Sequence, residues 1–214
     1  MSRAVQNKMK EVILLGYSGH GVVVAEAAIL SGHRIIGYGS LEKTLNNPFG
    51  LNYLGDENKQ DFNWSRCTNY ILGVGSNNLR RKISERVEEY GGKCCTIIHP
   101  ESSLSNSILI QDGSFIARNV SVNPLVKVGR NVILNTNCSI DHECILGNNV
   151  HIAPGAILSG KVIVNDGAFI GENAVVKQGI EIGQNAIVGA GSVVLNNVEE
   201  NQIVVGNPAR IITR

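Results

Sequence analysis

From Ile98 to Val194 an aliphatic residue recurs at every sixth position. The series runs Ile98, Leu104, Ile110, Ile116, Val122, Val128, Leu134, Ile140, Leu146, Ile152, Leu158, Val164, Ile170, Val176, Ile182, Val188 and Val194. A six-residue step walks around a helix of 3.6 residues per turn, so it marks no helical face. A half-buried strand would repeat every two residues instead. The period therefore predicts a coil with short flat faces, stacked into a parallel β-solenoid. Two places before the ladder residue the side chain is small or β-branched, as at Val132, Cys138, Cys144, Val150, Ala156, Val162, Ala168, Ala174, Ala186 and Ser192. Such residues suit a tight interior corner. Gly or Asn often follows the ladder residue, as at Gly129, Asn135, Gly147, Asn165, Gly171, Gly183 and Gly189. These are the expected sites of turning backbone with positive φ.

Before the ladder the pattern changes to alternating strands and helices. Glu11 to Leu15 reads as a buried strand, and Val22 to Ser31 as an Ala-rich helix closed by Gly32. Arg34 to Tyr38 and Tyr70 to Val74 make two further strands. Leu79, Ile83 and Val87 share one face of a second helix that Gly91 stops, and Lys93 to Ile98 returns as a strand. This alternation predicts a small parallel sheet flanked by helices, a Rossmann-like α/β unit over residues 1–97, with the solenoid over 98–214. The stretch from Gly50 to Ser65 is expected to be a weakly structured loop over a ligand pocket. Residues 1 to 9 are expected to fray.

The turn Gly16-Tyr17-Ser18-Gly19-His20-Gly21 lies between a strand and a helix, where backbone N–H groups and the helix dipole converge on anions. Its G-x-x-G-x-G spacing departs from the dinucleotide G-x-G-x-x-G, and no acidic residue closes the second strand. Ser18 and His20 could face a ligand there, although a plain tight turn with a solvated histidine fits the same residues.

Composition narrows the function classes. The net charge is +1 and aromatic residues make up 5%, which argues against a nucleic-acid surface. The five cysteines form no metal-finger spacing, and Cys138 and Cys144 fall on interior corners, where a packed thiol is expected. No signal-peptide segment and no membrane-length apolar run is present, so a cytoplasmic location is expected. Nothing resembles a G-x-S-x-G nucleophile elbow.

The ladder resembles the hexapeptide-repeat acyltransferases. Together with the Gly16–Gly21 turn and the stretch Gly75-Ser76-Asn77-Asn78-Leu79-Arg80-Arg81-Lys82-Ile83, it is similar to the NeuD/PglD-like sugar acetyltransferases. The resemblance implies a left-handed β-helix that binds acetyl-CoA, an N-terminal domain that binds a nucleotide-linked amino sugar, and a homotrimer with active sites between neighbouring β-helices. It further implies substrate contacts at Ser18, Gly19, His20 and Gly75. His142 would be the general base with Glu143 as its partner, and His151 would contact the acetyl carbonyl. The acetyl-CoA arm would run past Gly160, Glu172 and Ala190, with the Gly206-Asn207-Pro208-Ala209-Arg210 tail near its end. One departure concerns the end of the second strand, where relatives carry acidic residues and this chain has Tyr38-Gly39-Ser40.

A histidine base serves an amine or a hydroxyl acceptor, since its ordinary pKa is about 6.5. Adjacent strand residues point to opposite sides, so Glu143 reaches His142 only if the chain turns there. The expected activity is N-acetylation of a UDP- or GDP-linked 4-amino-deoxy sugar. Its competitors are O-acetylation of a sialic acid or another sugar, a non-catalytic sugar-nucleotide-binding scaffold, and a zinc solenoid built on His99, His142 and His151. The expected enzyme uses no metal.

Overall fold

The computed structural model describes residues 10–212, so the fraying expected for residues 1 to 9 lies outside the described residues. The N-terminal unit is a four-stranded parallel sheet of order β2-β1-β3-β4, made of β1 (Glu11–Leu15), β2 (Arg34–Gly39), β3 (Asn69–Leu72) and β4 (Lys93–Cys94). Helices α1 (Gly19–Leu30) and α2 (Asn77–Glu89) flank it. Strand β1 is apolar at every position after Glu11 because both sheet faces are covered. Val12 and Leu14 pack in the core with α1, and Ile13 and Leu15 in a second core with Phe62, Trp64, Ile83 and Val87. The expected Gly50–Ser65 loop thus contributes two aromatic anchors, and Tyr53 forms a single bridge with Tyr38.

The remaining chain winds into three sheets of two-residue parallel strands, each visited once per turn, until the three-residue strand Ile203–Val205, which the last strand, Arg210–Ile211, joins antiparallel. Along one face, successive strands lie eighteen residues apart, with Ile133 beside His151 and Leu134 beside Ile152. Rungs from Ile116 to Val194 are buried, and the corner thiols Cys138 and Cys144 lie inside with them. The first rungs differ. Ile98 is 38% exposed and Leu104 and Ile110 are only half-buried, because no coil lies beneath the open end.

Four local expectations are corrected. The stretch from Lys93 to Ile98 is two strands, and Ile97–Ile98 pairs with Phe115–Ile116 in the solenoid. Helix α1 begins at Gly19, which puts Gly19 and His20 in its first turn. Positive φ falls two residues later than expected, at Asn119, Asn131, Asn137, Asn149, Asn173 and Asn185, while the glycines that follow the ladder stand where successive coils approach closely. Leu79 is 44% exposed, and Arg80 takes its place on the buried face of α2.

The last correction explains how the two units join. The residue preceding each rung points outward, and on two of the three faces this row contains exposed Ser121, Lys127, Ile145 and Ile157. On the third face it reads Ile97, Phe115, Ile133 and His151, all buried under the N-terminal unit. Arg80, 1% exposed, clamps the junction. Its guanidinium donates to the carbonyls of Asn131 (2.8 Å) and Asn149 (2.9 Å) on the solenoid, and to Gly75 O (3.0 Å) and Asn77 Oδ1 (2.9 Å) on the other side. Only a planar fork of five donors satisfies so many acceptors at once. Arg80→Met should therefore lower unfolding stability on the order of 3 kcal/mol, because several buried carbonyls each lose a donor. Urea denaturation tests this, and a loss under about 0.5 kcal/mol, the range of an ordinary surface substitution, would show that the clamp is dispensable.

Candidate active site

Two clusters of the expected residues form, on different sides of the prism. The first stands at the edge shared by the six-stranded and five-stranded sheets, between the strands Ser139–Ile140 and Ile145–Leu146. Here the chain does turn. Glu143 adopts φ 60°, and its Oε2 lies 2.9 Å from His142 Nδ1. A carboxylate facing Nδ1 holds the proton on that nitrogen and leaves the Nε2 lone pair free. Asp141 does not compete for the ring. Its Oδ1 accepts from the His142 backbone N–H (2.7 Å) and from Asn123 Nδ2 (2.7 Å). The Asn123 amide and then the His142 N–H hold the Asp141 carboxyl below its usual range. His142 and Glu143 are both about half exposed, so the dyad opens to solvent. A Cβ at Gly160 would lie 2.6 Å from His142 Nε2, so the glycine is what leaves room for the ring.

The second cluster sits under the N-terminal unit. His151 Nδ1 lies 3.2 Å from Gly75 O, and its Nε2 lies 3.2 Å from Asn135 Nδ2. A carbonyl only accepts, so Nδ1 carries the proton and Nε2 accepts from the amide. The His20 ring is 6.3 Å from that of His151 and meets Phe115 edge-on at 5.5 Å. Its Nε2 is buried and without a partner among the described residues, in place of the solvated histidine of a plain turn. Burial first, then the Arg80 charge, pushes His20 down to about 4 and His151 to about 3, so both are neutral near pH 7. Ser18 and Gly19 are exposed at the mouth of the turn, and the Ser18 hydroxyl makes no capping bond to the helix. Gly21 serves packing instead, because a Cβ there would lie 2.3 Å from Gly16 O.

A cleft of about 410 Å³ adjoins this cluster, lined by Gly75, Ser76, Asn77, Phe169, Asn185 and Ile187 among others. It opens where the N-terminal unit stops covering the outward row, since Phe169 and Ile187 are only half-buried. Glu172 and Ala190 are exposed at a third place, the edge between the eight-stranded and six-stranded sheets, stacked one coil apart. His142, Glu143 and Gly160 are thus together, as are Gly75, His20 and His151, whereas Glu172 and Ala190 stand apart from both.

The edge carrying His142 lies opposite the face on which the N-terminal unit is docked, because each sheet of a triangular prism faces the edge shared by the other two. Arg80, Asn135 and the Phe115–Phe169 row were missed by reading the sequence. The available signal was the outward row taken at eighteen-residue steps, which on one face alone carries Phe and no Ser, Lys or Glu. Burial raises the Cys138 thiol to about 12 and the Cys144 thiol to about 11, which leaves neither as a nucleophile. No group of three or more His, Cys, Asp or Glu side chains suited to a metal ion occurs among the described residues.

A Rossmann-like unit, a hexapeptide β-solenoid and a surface His–Glu dyad define an acyltransferase of the hexapeptide-repeat class. Residues 11–87 match the PglD N-terminal domain family, 125–160 the bacterial transferase hexapeptide, and 161–196 the hexapeptide repeat of succinyl-transferase. The acetyltransferase domain of PglB from Neisseria gonorrhoeae is 30% identical over 95% of this chain and 100% of that one, with a TM-score of 0.88. PerB from Caulobacter crescentus, in complex with CoA and GDP-perosamine, is 29% identical over 95% and 97%, with a TM-score of 0.89. WeeI from Acinetobacter baumannii is 25% identical over 95% and 100%, with a TM-score of 0.85. The chain belongs to the PglD-type sugar acetyltransferases of the hexapeptide-repeat family, and its solenoid matches their left-handed β-helix.

Gly160→Ala should cut acetyl transfer at least about 100-fold, the lower range of general-base help, by displacing the His142 ring. The new methyl meets only the tip of a mobile side chain, so thermal unfolding should stay within a few degrees. Wild-type turnover in Gly160→Ala would show that the ring position seen here is not the working one.

Proposed function

We propose that the protein transfers the acetyl group of acetyl-CoA to the free amine of a nucleotide-linked 4-amino-deoxy sugar, UDP- or GDP-linked, in bacterial glycan biosynthesis. The observation that carries this reading is the His142–Glu143 dyad, with Nδ1 held by a carboxylate and Nε2 free. Its support from relatives is PerB, similar over 95% of this chain, which binds CoA and GDP-perosamine.

In the proposed reaction the amine attacks the thioester carbonyl and His142 Nε2 takes its proton, while Glu143 stabilises the imidazolium. Collapse of the tetrahedral intermediate breaks the C–S bond, and the departing thiolate takes the proton from the His142 imidazolium, which restores the base. A neutral amine is a competent nucleophile, so no acyl-enzyme is needed. Ser18, Gly19, His20 and Gly75 hold the sugar nucleotide. First-turn N–H groups of α1 supply the anion-binding character. Glu172 and Ala190 line the path of the CoA arm, with Gly160 beside the base and His151 toward the acetyl group.

We further propose a homotrimer. The dyad and the substrate cluster lie on opposite sides of one prism, so a complete site needs the dyad of one copy beside the cluster of another. Residues 1–97 would then serve as the sugar-nucleotide domain and 98–214 as the acetyl-CoA domain. No helix among the described residues is long and apolar enough to cross a membrane. Five free cysteines suit a reducing compartment, and we place the reaction in the cytoplasm.

Thiol release from acetyl-CoA with a panel of UDP- and GDP-linked 4-amino sugars tests the reading. One sugar should turn over, and His142→Ala should lose about 10²–10⁴-fold of that rate. Release with hydroxyl acceptors alone would move the assignment to O-acetylation. No release with any acceptor would leave a binding scaffold.

A further inference from the structure

Left-handed backbone is unevenly chosen around the solenoid. Among the described residues ten non-glycine residues have positive φ, and seven of them are asparagine, the non-glycine residue best suited to it. The other three are Leu125 (φ 65°), Glu143 (φ 60°) and Lys161 (φ 61°). These three are consecutive in space. They lie eighteen residues apart in one column, on the edge that carries His142. Strain of this kind persists where something else requires the side chain. For Glu143 that requirement is its bond to His142. Lys161 stands one coil above, with Nζ 3.8 Å from Glu143 Oε2, the same oxygen that faces His142 Nδ1. Its backbone N–H donates to His142 O at 2.9 Å, tying its corner to that of the dyad.

From this geometry we infer that Lys161 is a positioning residue for the reaction, holding the Glu143 carboxylate on His142 Nδ1 and offsetting its negative charge. The inference rests on the assignment of His142 and Glu143 as the catalytic dyad. Without the lysine, Glu143 is free to swing to solvent, and while it stays it favours a charged imidazole more strongly. Both effects lower the supply of neutral, correctly oriented base. The charged groups that face His142 are Asp141 and Glu143 on its own turn and Lys161 from the coil above. The coil below presents Asn123, Pro124 and Leu125 at the matching positions and contributes no charge.

A structural lysine and a functional one predict opposite results for Lys161→Asn. Asparagine suits φ near 60° better than lysine does, so this variant should unfold at the wild-type temperature or above. Its kcat should nonetheless fall about three- to fivefold, the size expected for a partly exposed ion pair. The acid limb of its kcat/KM profile should move to higher pH by about half a unit, as for one charge removed several ångströms away in water-like surroundings. KM for both substrates should hold, and Lys161→Arg, which keeps the cation, should restore rate and profile. An unchanged rate and profile in Lys161→Asn would overturn the inference, as would activity and stability falling together. His142→Ala is measured alongside. If it retains turnover, the dyad assignment fails, whereas an inactive His142→Ala beside an unaffected Lys161→Asn rejects the role of Lys161 alone.

Discussion

The seating of the N-terminal unit on a single outer face of the solenoid fixes everything else about this molecule. Its apolar part is the row Ile97, Phe115, Ile133 and His151, and its polar part is the buried guanidinium of Arg80 bonded to carbonyls of both units. Burial lowers Arg80 to about 9, still charged at neutral pH, and no carboxylate is among its hydrogen-bond partners. Burial first, and then the charge of this cation, keeps two nearby histidines neutral, and the guanidinium holds the Gly75 carbonyl against His151. The same seating leaves the opposite edge of the prism uncovered, and that edge carries the His–Glu dyad.

Much of this was legible in the residues. The six-residue ladder named the solenoid, because no other regular structure has that period. The strand–helix alternation named the sheet, while the pairing of His142 with Glu143 was implied by the family resemblance and depended on a turn that only the structure supplies. What escaped was whatever depends on the outside of a coil. A single-residue outward row carries no period-six signal of its own, and only sorting it by face separates Phe115 and Ile133 from Ser121 and Lys127. Arg80 escaped because an arginine on a helix normally reads as solvated surface. Leu79 was misplaced for the same reason, since the face that needed filling offered carbonyls and not methyl groups.

Turn chemistry was displaced by two residues for an instructive cause. Glycine after the rung looked like a positive-φ requirement, but those glycines stand where coils stack too closely for a Cβ. The positive φ sits at the asparagine column instead. Exceptions to that column gather beside His142, so the one edge that departs from the repeat's own preference is also the edge with the proposed catalytic dyad. Local conformational cost and the proposed function coincide there, as they do when a side chain is kept for its reactivity.

In the proposed homotrimer a working site combines the dyad of one copy with the substrate cluster of another. Co-assembly of two inactive variants tests it most directly. One is His142→Ala. The other is Gly19→Glu, whose new Cβ meets nothing within 4 Å and whose carboxylate suits a helix N-terminus while repelling an anionic nucleotide. Mixed oligomers contain sites with neither lesion if the site is shared between copies, and the account predicts that acetyl transfer returns on mixing. Mixed oligomers that form but stay inactive would contradict it, because each lesion would then have disabled a site built from a single chain.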